Sequence, residues 1–327
     1  MIYYVDGMNG NDEDDGTPTT PWQTLARALA TMEPGDVIKL REGVYNEALD
    51  LNKRDLVLEA DEGHTPVIDG RYGPHLYGDA GYTTSEGKPV KVKQLPALNA
   101  ENSKKGGWVS AGKLNAKGYS PLFRLSADGI VIRGITFRNA PGRFAVIEGD
   151  GVTIESCRMD FCYGGAILGA AGSVGAVIRN NVISRASVKA HDPGAPGAGP
   201  DSVTTSIITG GVDMKVTGNI VFLCHGEGPS ADKGSIRPYI AGNVVFGCGH
   251  WGLGFNNTSG AVFEGNIVYW PDGLHEVFGK DGPADCFVGG SENAGPENPR
   301  DAIAPNIIIR RNLFVGGKRA FLLGGAG

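Results

Sequence analysis

Residues 178–183 read IRNNVI, and the same phrase, apolar-x-x-Asn-apolar-apolar, returns four more times. It is VTGNIV at 216–221, IAGNVV at 240–245, FEGNIV at 263–268 and IRRNLF at 309–314. Asn181, Asn219, Asn243, Asn266 and Asn312 occupy one slot. Two earlier copies, IRGITF at 132–137 and IESCRM at 154–159, keep the apolar positions and put Ile135 and Cys157 in that slot. From Ile132 onward the steps are 22, 24, 38, 24, 23 and 46 residues. The step of 38 is one period with an insertion; that of 46 is two periods, or one period with a long loop. Short strands and turns recurring at a fixed interval are the mark of a solenoid of stacked rungs.

The composition of each rung selects the kind of solenoid. Leucine-rich repeats need a leucine ladder, whereas here β-branched strand residues run into Gly, Asn and Asp turns. That pattern predicts an all-β chain folded as a parallel β-helix with rungs of about 22–24 residues. Equivalent positions on neighbouring rungs stand about 4.8 Å apart, so the repeated asparagine is expected to bond to its own copies as an internal ladder. Eight residues on from each phrase start lie Ala140, Cys162, Ala186, Cys224, Cys248, Pro271 and Gly317. These are compact residues, as a tight corner packed against the interior requires. Cys162, Cys224 and Cys248 therefore read as stacked core thiols. With Cys157 and Cys286 they make five cysteines and no CxxC, so neither a disulfide framework nor a zinc site is implied.

The chain of 327 residues is expected to form one domain, 1–327, because a β-helix grows along one axis and need not split. A net charge of -6 argues against nucleic acid as a general partner, and no apolar run reaches membrane-spanning length. At the N-terminus, IYYVD, the acidic turn 9–21 and the amphipathic run TLARALATM at 24–32 lead to Pro34-Gly35. A capping segment over 1–35, with one helix covering the apolar end of the solenoid, is the expected device. Asp12, Asp14 and Asp15 in that turn suit calcium or plain solvation. Met1 leads straight into the first strand, which fits an intracellular or virion protein, or a secreted one whose signal is not in this chain. The last residues, AFLLGGAG, lack a polar cap. That points to a fragment of a longer protein, or to an end covered by another subunit; a monomer and a homotrimer both remain open.

The opening run YYVDGMNGNDEDDGTPTTPWQTLARALATMEPGDVIKLREGVYNE, with the later phrases HGEGPSADKGS, GNVVFGCGHWGLGFNNTSGAVFEGNIVY and NIIIRRNLFVGG, resembles the pectate-lyase-like superfamily of right-handed parallel β-helix proteins. The resemblance implies polysaccharide lyases, glycoside hydrolases, sugar epimerases or phage tailspikes, and an extracellular or virion-surface location. No single enzyme family's complete catalytic motif stands in these residues.

Insertions on a rigid solenoid are where function is added. The one at 72–120 holds seven lysines against Asp79, Glu86 and Glu101, a net charge of +4, together with Tyr82 and Trp108 among its aromatics. That composition suits an anionic glycan, or equally a solvated lobe whose aromatics pack inward. Insertions at 187–202, with His191 and Asp201, and at 271–305, with Asp285, could wall a groove. Aligning rungs on the cysteine corner places Glu227 over Trp251, Asp232 over Asn256 and Lys233 over Asn257, with His225 and His250 just before. Such a polar concentration breaks the alternation of a purely structural wall. A lyase needs a base, for which Lys233 with Arg237 nearby is the candidate, and a cation, for which Asp201, Asp213 and Asp232 could hold Ca2+. A glycoside hydrolase needs two carboxylates; Glu227 and Asp285, about two rung spacings or 10 Å apart, suit only the inverting geometry. A third reading is a glycan-binding rod without catalysis. The basic insertion favours β-elimination on a uronate-bearing polysaccharide.

Overall fold

The computed structural model describes residues 1–70, 121–140, 142–162, 164–187, 205–232, 234–249, 251–256, 258–270, 288–290, 306–316 and 321–322, the strands at 288–290 and 321–322 by backbone alone. Three all-parallel sheets run the length of the molecule. The first goes from Ile2–Val5 to Ile308–Arg310, the second from Val44–Tyr45 to Leu313–Val315, and the third from Leu49–Leu51 to Phe321–Leu322. One rung comprises Thr153–Glu155, Arg158–Cys162 and Ile167–Gly169, one strand in each sheet. The chain is a right-handed parallel β-helix, as its repeat implied.

The register is the one the sequence spacing gives. Ile132, Ile154, Ile178, Val216, Ile240, Phe263 and Ile309 pair in succession along the first sheet. Phe263 pairs directly with Ile309, so the step of 46 residues is a single rung carrying a long insertion. These side chains point inward with their counterparts in the other two sheets, among them Phe137, Met159 and Val221 in the second and Leu125, Ile147 and Ile167 in the third. Each buried side chain of this size contributes about 1.5–3 kcal/mol by leaving water.

The turn between the first and second sheets carries the asparagine ladder. Asn181 Nδ2 donates to Asn219 Oδ1 at 3.0 Å, Asn219 to Asn243 at 3.0 Å, Asn243 to Asn266 at 2.9 Å and Asn266 to Asn312 at 2.9 Å. Each Oδ1 also accepts the backbone N–H of the preceding rung, Cys157 N–H to Asn181 Oδ1 being the first at 2.9 Å. The residue before the ladder slot sits in the left-handed region, with φ of 65° at Gly218, 63° at Gly242 and 64° at Gly265. Glycine adopts that conformation without steric cost, which explains the Gly-Asn pairs in the repeat. The corner cysteines are free thiols in the core. Burial pushes the Cys157 thiol up to about 12, so it stays protonated.

At the N-terminal end, Ile2–Val5 adds to the edge of the first sheet beside Val37–Leu40, and helix Leu25–Thr31 turns Leu25 and Ala28 into the core. Thr24 caps the helix by accepting from Arg27 N–H, while the Glu47 carboxylate takes the N–H groups of Leu25 at 2.9 Å and Ala26 at 2.7 Å. This is the expected capping segment. Asp12 accepts from Gln23 N–H, Thr24 N–H and the Thr24 hydroxyl, and Asp15 accepts from the Thr20 hydroxyl. The acidic turn thus ties itself down through hydrogen bonds.

Candidate functional site

The corner where the second sheet turns into the third is built from one column of positions. Ala145 pairs with Ile167 and Ile167 with Ile207, so Arg143, Gly165 and Thr205, each two residues earlier, follow one another along the axis. Thr205 bridges to Glu227, and Gly228 N–H bonds to Trp251 carbonyl at 2.8 Å, which carries the column on to Trp251. The strands that follow pair Ile208 with Ser230 and Ser230 with Gly254, then Ala231 with Phe255. The stacking of Glu227 on Trp251 and of Asp232 on Asn256 is therefore the register the cysteine corner implied.

Glycine shapes this corner. A Cβ on Gly165 would stand 2.4 Å from Arg143 Nη1 and 2.0 Å from the Thr205 carbonyl oxygen, so the guanidinium and the next rung close over Gly165 because it has no side chain. A Cβ on Gly254 would stand 3.1 Å from Glu227 Oε2 and 2.8 Å from Ser230 Oγ. The Glu227 carboxylate thus lies over the outward side of the third sheet. Glu227 enters from the turn, not from a strand, and is 6% exposed, so it is no ordinary solvent-facing carboxylate. His225 beside it is 5% exposed and Trp251 7%.

Among the described residues, five polar atoms in this region are buried without hydrogen-bond partners: Arg143 Nη1, Thr205 Oγ1, Ser206 Oγ, Ser230 Oγ and Asn256 Oδ1. Native interiors satisfy the large majority of such atoms, and each orphan costs about 1–3 kcal/mol. Burial also lowers the Arg143 pKa from its ordinary value, so the fold holds this cation at a cost. These five atoms lie along one corner and the strands it leads into, and no described residue partners them.

Arg237 and Asp213 pair with each other, Nε to Oδ1 at 2.8 Å and Nη2 to Oδ2 at 2.7 Å, on an exposed turn. Both Asp213 oxygens are committed to that guanidinium, which leaves Asp213 and Arg237 out of the corner cluster. Among the described residues no three His, Cys, Asp or Glu side chains come together to hold a metal. Lys233, His250, Asn257, Asp285, Trp108, Tyr82, His191 and Asp201 lie outside the described residues. Of the sequence candidates, the structure places Glu227 and Trp251 in one corner column, with His225 two residues before Glu227, and puts Asp232 and Asn256 in register at the far end of the strands that follow. Sequence reasoning missed Arg143, Thr205, Ser206 and Ser230; the signal available was Gly165, a small residue where the corner column holds larger ones.

Residues 8–52 match a family described as a protein of unknown function, DUF1565. A segment of the chain is 39% identical over 49 residues to the uncharacterized protein YwoF of Bacillus subtilis (strain 168), a match spanning 15% of this chain and 10% of that protein. Among solved structures, the chain is similar to the pectate lyase Pel9A, with a TM-score of 0.50 and 13% identity over 99% of this chain and 78% of that one. A rhamnogalacturonan lyase gives 0.45 and 13% over 82% and 74%, and endopolygalacturonase I from Stereum purpureum gives 0.41 and 13% over 90% of each chain. The shared fold is the right-handed parallel β-helix, and at these identities the likeness is one of fold.

Proposed function

We propose that the protein cleaves an extracellular, uronate-bearing polysaccharide by β-elimination at the corner of the third sheet. The observation that carries this reading is the set of buried polar atoms there without partners among the described residues, which includes one guanidinium nitrogen, Arg143 Nη1. In this reading a uronate carboxylate pairs with the Arg143 guanidinium through a charge-assisted hydrogen bond, and sugar hydroxyls bond at Thr205, Ser230 and Asn256. The name of one similar fold, a pectate lyase, supports a glycan as substrate.

In the proposed reaction a base takes the proton beside the carboxylate, the electron pair forms the new carbon–carbon double bond, and the bond to the leaving glycosidic oxygen breaks. Arg143 meets the charge that grows on the carboxylate as the proton leaves, the electrostatic contribution that usually dominates such catalysis. Lys233, next in the chain to Asp232, is the proposed base, and His225 and Glu227 hold or relay protons. Trp251 flanks the sugar.

Incubation with a panel of uronate-containing and neutral polysaccharides tests the reading, following the ultraviolet absorbance of the unsaturated product together with new reducing ends. Both signals should rise on a uronate polymer. Reducing ends without absorbance would overturn β-elimination, and silence across the panel would overturn cleavage. A chelator arm reads the calcium expectation on Asp201 and Asp232, Asp213 being taken up by Arg237.

A further inference from the structure

A second feature lies on the outer face of the second sheet, a different face of the coil from the corner above. A groove of about 410 Å³ is lined by Thr136, Arg158 and Val182 in one column, by Arg138, Asp160 and Ser184 in the next, and closed by Arg185, Phe222 and Leu223. Thr136, Arg158, Val182 and Ile220 pair in succession, so the groove spans three rung steps, about 14 Å.

The groups in it are held in place. Arg138 Nε bonds to Asp69 at 2.8 Å, and Arg185 Nε and the Ser184 hydroxyl both donate to Asp160, at 2.8 and 2.7 Å. Arg158 differs: it is exposed and has no hydrogen-bond or ion-pair partner among the described residues. Phe222 begins a stack that continues through Phe246 at 5.1 Å to Tyr269 at 4.9 Å. Its neighbour on the groove side is Ser184, too short to cover the ring, so one aromatic face opens into the groove. Asp69 balances Arg138 and Asp160 balances Arg185, which leaves the positive charge of Arg158 in excess in the groove, on a chain whose net charge is negative.

We propose that this groove is a second binding site, separate from the cleavage corner, for a short carboxylate- or sulfate-bearing oligosaccharide. Its anionic group pairs with Arg158, which has the planar fork suited to both oxyanions, and one sugar ring packs on the open face of Phe222. Such a site would hold the polymer on a face that does no chemistry and raise its local concentration at the corner.

Calorimetric titration of the full chain with an oligogalacturonate, a sulfated oligosaccharide and a neutral oligosaccharide of equal length tests this, in the unmodified protein and in Arg158→Gln. The anionic ligands should bind, with at least one class weakened about tenfold or more in Arg158→Gln. The melting temperature should not change, since the replaced side chain is exposed and unpaired. Which anion shows the effect identifies carboxylate or sulfate. Equal binding by both proteins, or equal use of the neutral ligand, would overturn the proposal. The readout is binding, so an Arg158 effect in a protein that cleaves nothing would uphold this site while the cleavage reading failed.

Discussion

The outer face of the first sheet and the corner entering the third sheet use similar residues in opposite ways. On the first sheet, Lys39, Glu59, Arg133, Glu155 and Arg179 stand on successive rungs and alternate in charge. Each is paired: Lys39 to Glu59 at 3.1 Å, Arg133 to Glu59 at 3.1 Å and to Glu155 at 2.6 Å, and Arg179 to Glu155 at 2.6 Å. Rung stacking alone makes this zipper, because residues one rung apart are within reach of each other. At the third-sheet corner the same stacking brings Arg143, Thr205, Ser206 and Ser230 together, and their polar atoms are left over. A fold that can satisfy a charged column so thoroughly on one side is not forced to leave orphans on another. On the proposed reading, that difference reflects a corner shaped for a glycan and not for the chain itself.

Removing satisfied groups should hurt stability most. Asn219 donates to Asn243 and to the Ile178 carbonyl, and accepts from both nitrogens of Asn181. Asn219→Ala strands all of these in the interior, and denaturant unfolding should show a loss of about 3 kcal/mol or more. A loss below about 1 kcal/mol would mean that buried hydrogen bonds do not hold the rungs together.

A smaller effect is expected from Gly165→Ala, which pushes a methyl group into the Thr205 carbonyl and the Arg143 guanidinium. The cost should be about 1–3 kcal/mol, with cleavage lost out of proportion because two groups of the corner are displaced at once. Retained cleavage in a stable Gly165→Ala protein would separate the corner from the chemistry.

The charge zipper should give the smallest change in stability. Burial alone would raise the Glu155 carboxyl, but Arg133 and Arg179 outweigh it and hold its pKa below the ordinary value. A depressed carboxylate stabilises the fold above its unfolded pKa, about 4.3, and that contribution is lost as pH falls toward the folded value. Both arginines are half-exposed, so Glu155→Gln should cost only about 1 kcal/mol near neutral pH. The gap from the unmodified protein should close as pH drops below about 4 and narrow in high salt. A gap that ignores both would contradict the ion-pair account.

The fold was legible because stacking copies its signal. Five asparagines in one slot and a repeated interval carry the register, and even the Gly-Asn pairs have a conformational cause. The corner was legible only where two uninterrupted rungs align, as Glu227 over Trp251 and Asp232 over Asn256. Thr205 and Ser206 follow the insertion at 187–202, which hides their spacing from Gly165. Arg143 looks like any surface arginine until Gly165 lets the next rung close over it.

Arg143→Gln, followed by both thermal unfolding and polysaccharide cleavage, tests most directly whether the corner is kept for function. Removing a buried cation that has an unpartnered nitrogen should leave the melting temperature unchanged or raise it, while cleavage falls about 10²–10³-fold. A melting temperature lowered by several degrees, with cleavage intact, would show that Arg143 serves the fold and would contradict the account.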